Sequence, residues 1–172
     1  MEEGYPFSGT GSLFRFLQGL ISIAVQNKGI VVFDNDAEGL ATFNRCTQLN
    51  VPANMRILRL PDFPEFCDFE TIDPNGRHRT NINGQGAAIE CYLDLGGEPC
   101  IRWKNYNAAV DAYHGELINK ELYTRNFLNQ RNRDEGYDYE KIASVLDMIV
   151  KNCVLMREAT LNKELGDRIE NE

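Results

Sequence analysis

The strongest structural signal in the chain is the run Gly29-Ile30-Val31-Val32-Phe33-Asp34-Asn35-Asp36-Ala37-Glu38-Gly39. Its first half is largely β-branched and aromatic, with apolar residues on both alternating faces, which predicts a buried parallel strand over residues 30–34. Asp34 and Asp36 come where that strand would end, and ligands of open α/β sheets bind at this carboxyl edge. The run therefore predicts a polar site at the end of a buried strand.

The spacing of Asp34 and Asp36 suits a divalent cation. Two carboxylates separated by one residue, in an extended end or a tight turn, can approach a common point and offer hard oxygen ligands. This chemistry favours Mg²⁺ or Mn²⁺ and, through the metal, a phosphate group. An ordinary aspartate-rich turn with a helix N-cap would contain the same residues, so both interpretations stay open at this point.

Two helices and a second strand are predicted around this run. Apolar residues at helical spacing predict helices over residues 12–27 and 37–49, and residues 55–60 have the pattern of a strand. Asp36 and Glu38 would lie at the first turn of the second helix, where negative charge is favourable. The order helix, strand, helix, strand implies parallel strands joined by right-handed crossovers.

The second half of the chain has a different composition. Residues 61–84 are rich in proline, glycine and acidic side chains, which predicts a long acidic loop. One short strand is then predicted at residues 100–103. Helices are predicted at residues 85–95, 106–113, 115–129 and 139–155. Residues 130–137 are expected to form a polar loop, and the charged residues beyond Arg157 are expected to fray.

These elements define the expected fold class. It is α/β, with a small, mainly parallel sheet, flanking helices and a helical C-terminal part. We expect residues 1–113 to form the α/β core and residues 114–172 to form a helical extension packed on that core. A sheet of two or three strands is small for a core that packs against about five helices. We therefore expect a preceding domain or another chain to supply further strands.

Composition limits the functional classes. The chain has 172 residues and a formal net charge of −8, which argues against tight binding of DNA through a basic face. It does not exclude a nuclease, because bound cations and local basic residues can offset an acidic site.

Five cysteines without a CxxC motif are typical of idle thiols in a reducing compartment. The sequence shows no apolar run of membrane length and no signal peptide, so a cytoplasmic protein without a membrane partner is expected.

The run around Asp34 resembles the DxD strand of Toprim domains, which occur in topoisomerases, primases and nucleases of the overcoming-lysogenization-defect (OLD) family. Other segments look like the C-terminal half of bacterial proteins described as HEPN/Toprim-associated. The resemblance covers roughly residues 5–130 and includes Ser8-Gly9-Thr10-Gly11-Ser12, Leu58-Arg59-Leu60-Pro61-Asp62, Asn83-Gly84-Gln85, Ile89-Glu90-Cys91-Tyr92-Leu93 and Arg102-Trp103-Lys104-Asn105-Tyr106.

The resemblance implies roles for four residues. Asp34 and Asp36 match the metal-binding DxD, and Glu90 resembles the later acidic residue of OLD-type nucleases, which would make these three the metal ligands. Lys120 resembles the late lysine of those nucleases, which would stabilise negative charge on phosphate. Lys104 is the competing choice for this lysine. Positions on solvated helix faces would also explain Glu90 and Lys120.

The Toprim pattern contains one further residue, a catalytic glutamate at the end of an earlier strand. The segment Glu2-Glu3-Gly4 contains glutamates, but no apolar run that could form a strand precedes it. We therefore do not assign the role of the catalytic glutamate to this segment. We therefore expect this glutamate to come from a preceding domain or another chain, together with the missing strands.

Three functions follow as hypotheses. The resemblance implies a Toprim-like, Mg²⁺- or Mn²⁺-dependent nuclease or phosphodiester-processing domain that acts on DNA or RNA, with phage defence as the context of the family. One alternative is a catalytically inactive Toprim remnant that acts as a protein-interaction module. A second alternative is a haloacid-dehalogenase-like phosphatase, with Asp34 as nucleophile and Asp36 as acid/base. That motif expects Thr or Val at the position of Glu38.

Overall fold

A computed structural model of the chain describes residues 9–130 and 136–169. Within these residues the chain forms four α-helices and eight short strands, so the predicted α/β class is confirmed. The helices are α1 (Thr10–Ser22), α2 (Ala37–Cys46), α3 (Lys120–Leu128) and α4 (Glu140–Ile169). The strands are β1 (Gly29–Phe33), β2 (Asn35–Asp36), β3 (Met55–Arg59), β4 (Phe69–Asp73), β5 (Gly76–Thr80), β6 (Gly86–Ala87), β7 (Ile101–Asn107) and β8 (Ala112–Leu117).

The predicted parallel strand pair is confirmed. β1 pairs with β3 in parallel, with Gly29 opposite Met55 and Phe33 opposite Arg59. Among the described residues, β3 is the only strand that pairs with β1. Both α1 and α2 end earlier than predicted, and α1 closes with a turn in which Ala24 has a φ of +51°.

β1 lies between two apolar clusters, which explains why apolar residues occupy both of its faces. On one side, Phe33 packs with Phe14 and Leu17 of α1 in a cluster that also contains residues of α2. On the other side, Val32 packs against a cluster that contains Val145 of α4 and residues of a four-stranded sheet. Helices therefore cover both faces of β1.

The four-stranded sheet differs from the prediction of a mainly parallel sheet. Its strands follow the order β5-β4-β7-β8, with β4 and β7 parallel and the two outer pairs antiparallel. The β4–β5 hairpin lies within residues 61–84, so the prediction of one long loop is wrong. Pro74 and Asn75 form the turn of this hairpin. The exposed alternate residues of β5 are charged, which made the strand resemble a loop.

Three predicted helices are also wrong in whole or in part. Residues 85–95 form β6 and a short 3₁₀ turn, and residues 106–113 lie in the β7–β8 hairpin. The helix predicted over residues 115–129 begins only at Lys120, because β8 continues to Leu117. Tyr106 and Tyr113, the end residues of the predicted helix over 106–113, instead face each other across the β7–β8 hairpin.

α4 is longer than predicted. The sequence pattern predicts its end at residue 155, but the helix continues to Ile169, so the fraying expected beyond Arg157 does not occur in the described part of the helix. Val145 and Met156 are each only 3% exposed. The buried face of α4 therefore continues past the predicted end.

Some predictions reach the limits of the described residues. Residues 131–135 of the predicted polar loop and the segment Glu2-Glu3-Gly4 lie outside them. The predicted division between residues 113 and 114 falls within β8, which pairs with β7, and the division into two parts stays a prediction. In the described part of the chain, no helix is long and apolar enough to span a membrane.

Candidate functional site

Asp34 lies directly after β1, at the carboxyl end of the parallel strand pair. Its Oδ1 accepts a hydrogen bond of 3.0 Å from the backbone N–H of Ile89. The first turn of α2 lies against the backbone here, because a Cβ added to Gly39 would be 2.3 Å from the carbonyl oxygen of Asp34. Only glycine fits at this contact, so Gly39 determines how closely the helix follows the strand.

Asp36 is the N-cap of α2. Its backbone is extended, and its Oδ1 accepts a hydrogen bond of 2.6 Å from the backbone N–H of Gly39. The N-cap interpretation of this aspartate is therefore confirmed. Its Oδ2 lies 3.6 Å from Nδ1 of His114, and this buried nitrogen has no hydrogen-bond partner among the described residues. One oxygen of Asp36 is thus used by the helix, and the other faces an imidazole.

Asn35 lies between the two aspartates and is fully buried. Its Nδ2 donates to Oδ1 of Asp62 at 3.0 Å, and its Oδ1 accepts from the backbone N–H of Gly84 at 2.7 Å. Arg59 also donates to Oδ1 of Asn35, and the Tyr92 hydroxyl lies 3.3 Å from Nδ2. Asn35 therefore connects the aspartates to β3, to the segment that follows it and to the segment before β6.

The surroundings of the two aspartates favour their neutral forms. Burial is the main cause that raises the pKa of Asp34 from 3.8 to about 6, and the negative charge of Asp36 raises this pKa further. The Ile89 N–H opposes this rise. Burial likewise raises the pKa of Asp36, while the Gly39 N–H and the imidazole of His114 oppose the rise. Two partly buried carboxylates are thus held close enough to repel each other.

Glu90 and Lys120 lie near this pair. Glu90 raises the pKa of Asp34 and Lys120 lowers it, so both charges act on the Asp34 carboxylate. Glu90 belongs to a 3₁₀ turn and not to the predicted helix, and Lys120 is the first residue of α3. Lys104 forms an ion pair with Glu116 and is not among the charges that act most strongly on Asp34. Asp34 therefore lies in the electrostatic field of the other three predicted site residues, and the choice between Lys120 and Lys104 as the phosphate-contacting lysine stays a prediction.

A groove of about 900 Å³ opens beside Glu90 and Lys120. Its other walls are largely apolar and come from α3 and the start of α4, including Phe127, Leu128 and Ile142. The charged residues near Asp34 are therefore reached from a surface depression that is large enough for a substrate segment.

The donor groups near Asp34 and Asp36 bear on which kind of metal site is possible here. The described residues contain no group of three or more His, Cys, Asp and Glu side chains that could hold a metal ion. Mg²⁺ is usually bound through one or two carboxylates, with waters and substrate phosphates as the other ligands. The binding of Mg²⁺ or Mn²⁺ by Asp34 and Asp36 in such a water-rich site stays a prediction. The role of Glu90 as a third ligand stays a prediction.

Two residues of the site were not predicted from the sequence. Asn35 is the middle residue of the DxD pattern, in which it has no assigned role, and the structure shows it as a buried polar side chain whose hydrogen-bonding groups are satisfied. His114 has no such signal, because it reaches Asp36 only through the pairing of β8 with the rest of the sheet.

Comparisons of the chain with protein-family models, with curated proteins and with solved structures gave no match.

Proposed function

We propose that the chain is a Toprim-like domain that cleaves or processes phosphodiester bonds with the help of Mg²⁺ or Mn²⁺. The observation that supports this most directly is the position of Asp34. It follows a parallel strand, is largely buried and lies among Asp36, Glu90 and Lys120. Charges that crowd together without compensation are typical of functional sites.

Each residue has a distinct role in this proposal. Asp34 and Asp36 supply the carboxylate ligands, and a bound divalent ion would polarise a phosphate and lower the pKa of a bound water. Glu90 accepts a proton or adds a further carboxylate oxygen. Lys120 stabilises negative charge that develops on the phosphate.

Cleavage assays with the full chain test this proposal. We expect cleavage of single-stranded DNA, duplex DNA or RNA in Mn²⁺ or Mg²⁺ and none in EDTA. Asp34→Asn should reduce the rate on the order of 100-fold or more. Asp147→Asn is the matched control and should keep wild-type activity, because Asp147 is an exposed acidic residue on α4 outside the candidate site.

Two outcomes would contradict the nuclease proposal. One is the absence of cleavage with either ion, and the other is cleavage that persists at the wild-type rate in Asp34→Asn. Lys120→Met and Lys104→Met, compared in the same assay, test which lysine contacts the phosphate. We expect the larger loss with Lys120→Met, because its charge acts on Asp34.

An inactive Toprim-like module that acts through protein contacts is the second candidate. It is supported by the lack of a three-ligand group among the described residues and by the use of Asp36 as a helix cap. Equilibrium dialysis with Mn²⁺ separates the two candidates. Mn²⁺ binding that is lost in Asp34→Asn supports the metal-dependent enzyme, whereas no Mn²⁺ binding supports the inactive module.

A further inference from the structure

A cleft of about 590 Å³ lies against the four-stranded sheet, close to the candidate site. Its volume is within the range of pockets that bind small molecules or single groups of a larger ligand. The residues that matter for its chemistry are Trp103, Tyr113, Lys104, His78, Asn81 and Gln85. Five of these have no role in the phosphodiester chemistry proposed above, and Lys104 is there the competing choice for the lysine that contacts the phosphate.

Two aromatic side chains form one side of the cleft. The indole of Trp103 is half-buried and lies over Gly115, where an added Cβ would be 2.9 Å from Cζ3 of the indole. Tyr113 is 54% exposed and packs edge-to-face with Tyr106 at a centroid distance of 5.4 Å. Flat aromatic surfaces that are partly open to solvent are suited to stacking with another ring.

The charges at the cleft are nearly balanced. Lys104 is paired with Glu116, and Nε2 of His78 lies 3.6 Å from Oδ2 of Asp73. A surface of this kind offers little net attraction for phosphate groups alone. Its aromatic side chains favour a ligand with a flat ring, which gains from stacking.

Carboxamides supply hydrogen-bonding groups at the same place. Gln85 is half-buried, and its side chain makes no hydrogen bond within the described part of the chain. The side-chain oxygen of Asn81 accepts from Asn83, whereas its amide nitrogen makes no hydrogen bond to a described residue. Donor and acceptor groups beside an aromatic surface match the polar edge of a nucleobase.

Gln85 also connects the cleft to the candidate site. Its backbone carbonyl accepts from the N–H of Ala37, the residue that follows Asp36, at 3.2 Å. The same carbonyl accepts from the N–H of Gly115, opposite Trp103, at 3.0 Å. A ligand in the cleft would therefore lie on the same structural unit as the carboxylates.

We propose that this cleft binds one base of a single-stranded nucleic acid, stacked against Trp103 and Tyr113, next to the phosphodiester site. The inference rests on the proposed function, because it is the chemistry at Asp34 that selects a nucleic acid among ligands with a flat ring. The carboxamides of Gln85 and Asn81 bind the edge of the base, and Lys104 lies beside the sugar–phosphate chain that leaves the cleft.

Tryptophan fluorescence tests the cleft directly, because Trp103 is the only tryptophan of the chain. The full chain is titrated in EDTA with an oligothymidylate and with an abasic strand of equal length and charge. We expect the oligothymidylate to quench the emission and to bind about tenfold more tightly than the abasic strand, because stacking requires the base. Equal binding of the two strands would overturn the inference.

Two variants of Tyr113 control for folding. Tyr113→Ala should weaken oligothymidylate binding about tenfold, whereas Tyr113→Phe, which keeps the ring, should bind as the wild type does. Equal affinity of Tyr113→Ala and Tyr113→Phe would overturn the inference, as would quenching by a neutral oligosaccharide in place of the strand. Circular dichroism confirms that both variants are folded before they are compared.

The binding and cleavage results separate the two proposals. Metal-dependent cleavage without base-dependent quenching overturns the base-binding cleft and leaves the proposed function intact. Base-dependent quenching without cleavage in either metal overturns the nuclease function and supports a nucleic-acid-binding cleft. Because binding is measured without metal, loss of the metal site cannot imitate loss of the cleft.

Discussion

Asp34 destabilises the fold that holds it. Burial and the charge of Asp36 raise its pKa to about 6, so at neutral pH a charged carboxylate is held where the neutral acid would be favoured. The difference from an ordinary value of 3.8 corresponds to roughly 3 kcal/mol. If Asp34 had only a structural role, its uncharged amide could replace it without loss of stability. Asp34→Asn is therefore the substitution to test.

We expect Asp34→Asn to raise the free energy of unfolding of the metal-free protein at pH 7 by roughly 2–3 kcal/mol. The amide oxygen can still accept from the N–H of Ile89, and the buried charge is gone. In the wild type the folded state keeps the proton to a higher pH than the unfolded state. The contribution of Asp34 to stability therefore falls as the pH rises from about 4 to about 6. This contribution is absent in the variant, which keeps the pH dependence that comes from the raised pKa of Asp36. Urea unfolding in EDTA over this range measures both effects.

Asp147→Asn is the control for this comparison, because Asp147 is exposed on α4. We expect it to change the stability by less than about 0.5 kcal/mol at every pH. An identical fall in stability for the wild type and Asp34→Asn between these pH values would show that Asp34 titrates normally.

At the scale of elements, the turn from β1 into α2 depends on Gly39. A methyl group there would meet the backbone of Asp34 at 2.3 Å, and backbone cannot move aside as a side chain can. We expect Gly39→Ala to destabilise the protein by about 3 kcal/mol and to displace Asp34 from the N–H of Ile89. Thermal unfolding gives the first effect, and the amide exchange rate of Ile89 gives the second.

Gly19→Ala is the matched control for Gly39→Ala. Gly19 lies within α1 and has nothing within 4 Å of an added Cβ. Alanine in an open helical position should stabilise the protein by about 0.5–1 kcal/mol. Opposite signs for the two substitutions are thus expected, and destabilisation of similar size by both would contradict the close contact at Asp34.

The elements that could be predicted are those with a local cause. Local sequence is sufficient to predict three elements. An apolar run indicates β1 and β3, and an apolar stripe at helical spacing together with an N-cap indicates α2. The β4–β5 hairpin could not be predicted, because the charged residues of β5 are explained only by its position at the edge of the sheet. The segment at residues 85–95 has helical spacing but is held as β6 and a 3₁₀ turn by the core around Tyr92.

The candidate site divides in the same way. Asp34 and Asp36 could be predicted, because they follow the apolar strand directly in the sequence. The prediction of Glu90 and Lys120 as site residues depends only on the family resemblance. Their effect on Asp34 depends on how the later segments fold over β1, which the local sequence does not determine. His114 could not be predicted at all, because its position depends on the strand register of β8.

At the scale of the whole molecule, α4 joins the two halves of the structure. Its residue Val145 packs in the cluster of the four-stranded sheet. Met156, one of its buried residues, lines a pocket together with Gly29 and Ile30 at the start of β1. Met156 also lies beyond the predicted helix end at residue 155. Burial of Met156 therefore distinguishes the observed α4, which continues beyond residue 155, from the predicted helix, which ends there.

We expect Met156→Ala to lower the free energy of unfolding by about 2–5 kcal/mol, because it leaves a cavity beside β1. The neighbouring residue provides the control, since Leu155 is 56% exposed and Met156 only 3%. Leu155→Ala should cost less than about 0.5 kcal/mol. Denaturant unfolding of both variants makes the comparison, and equal costs would mean that α4 does not pack on β1 through Met156.

The hydrogen bonds of Asn35 have a consequence for how the site forms during folding. They reach partners that are between 24 and 57 residues away along the chain. Contacts of such long range form only when most of the chain has already folded, because closing each loop costs entropy. A peptide of residues 29–46 would contain both aspartates and lack their arrangement. The spacing of the two carboxylates is therefore a property of the cooperative fold, and ligand binding at Asp34 would report on the folding of the whole molecule.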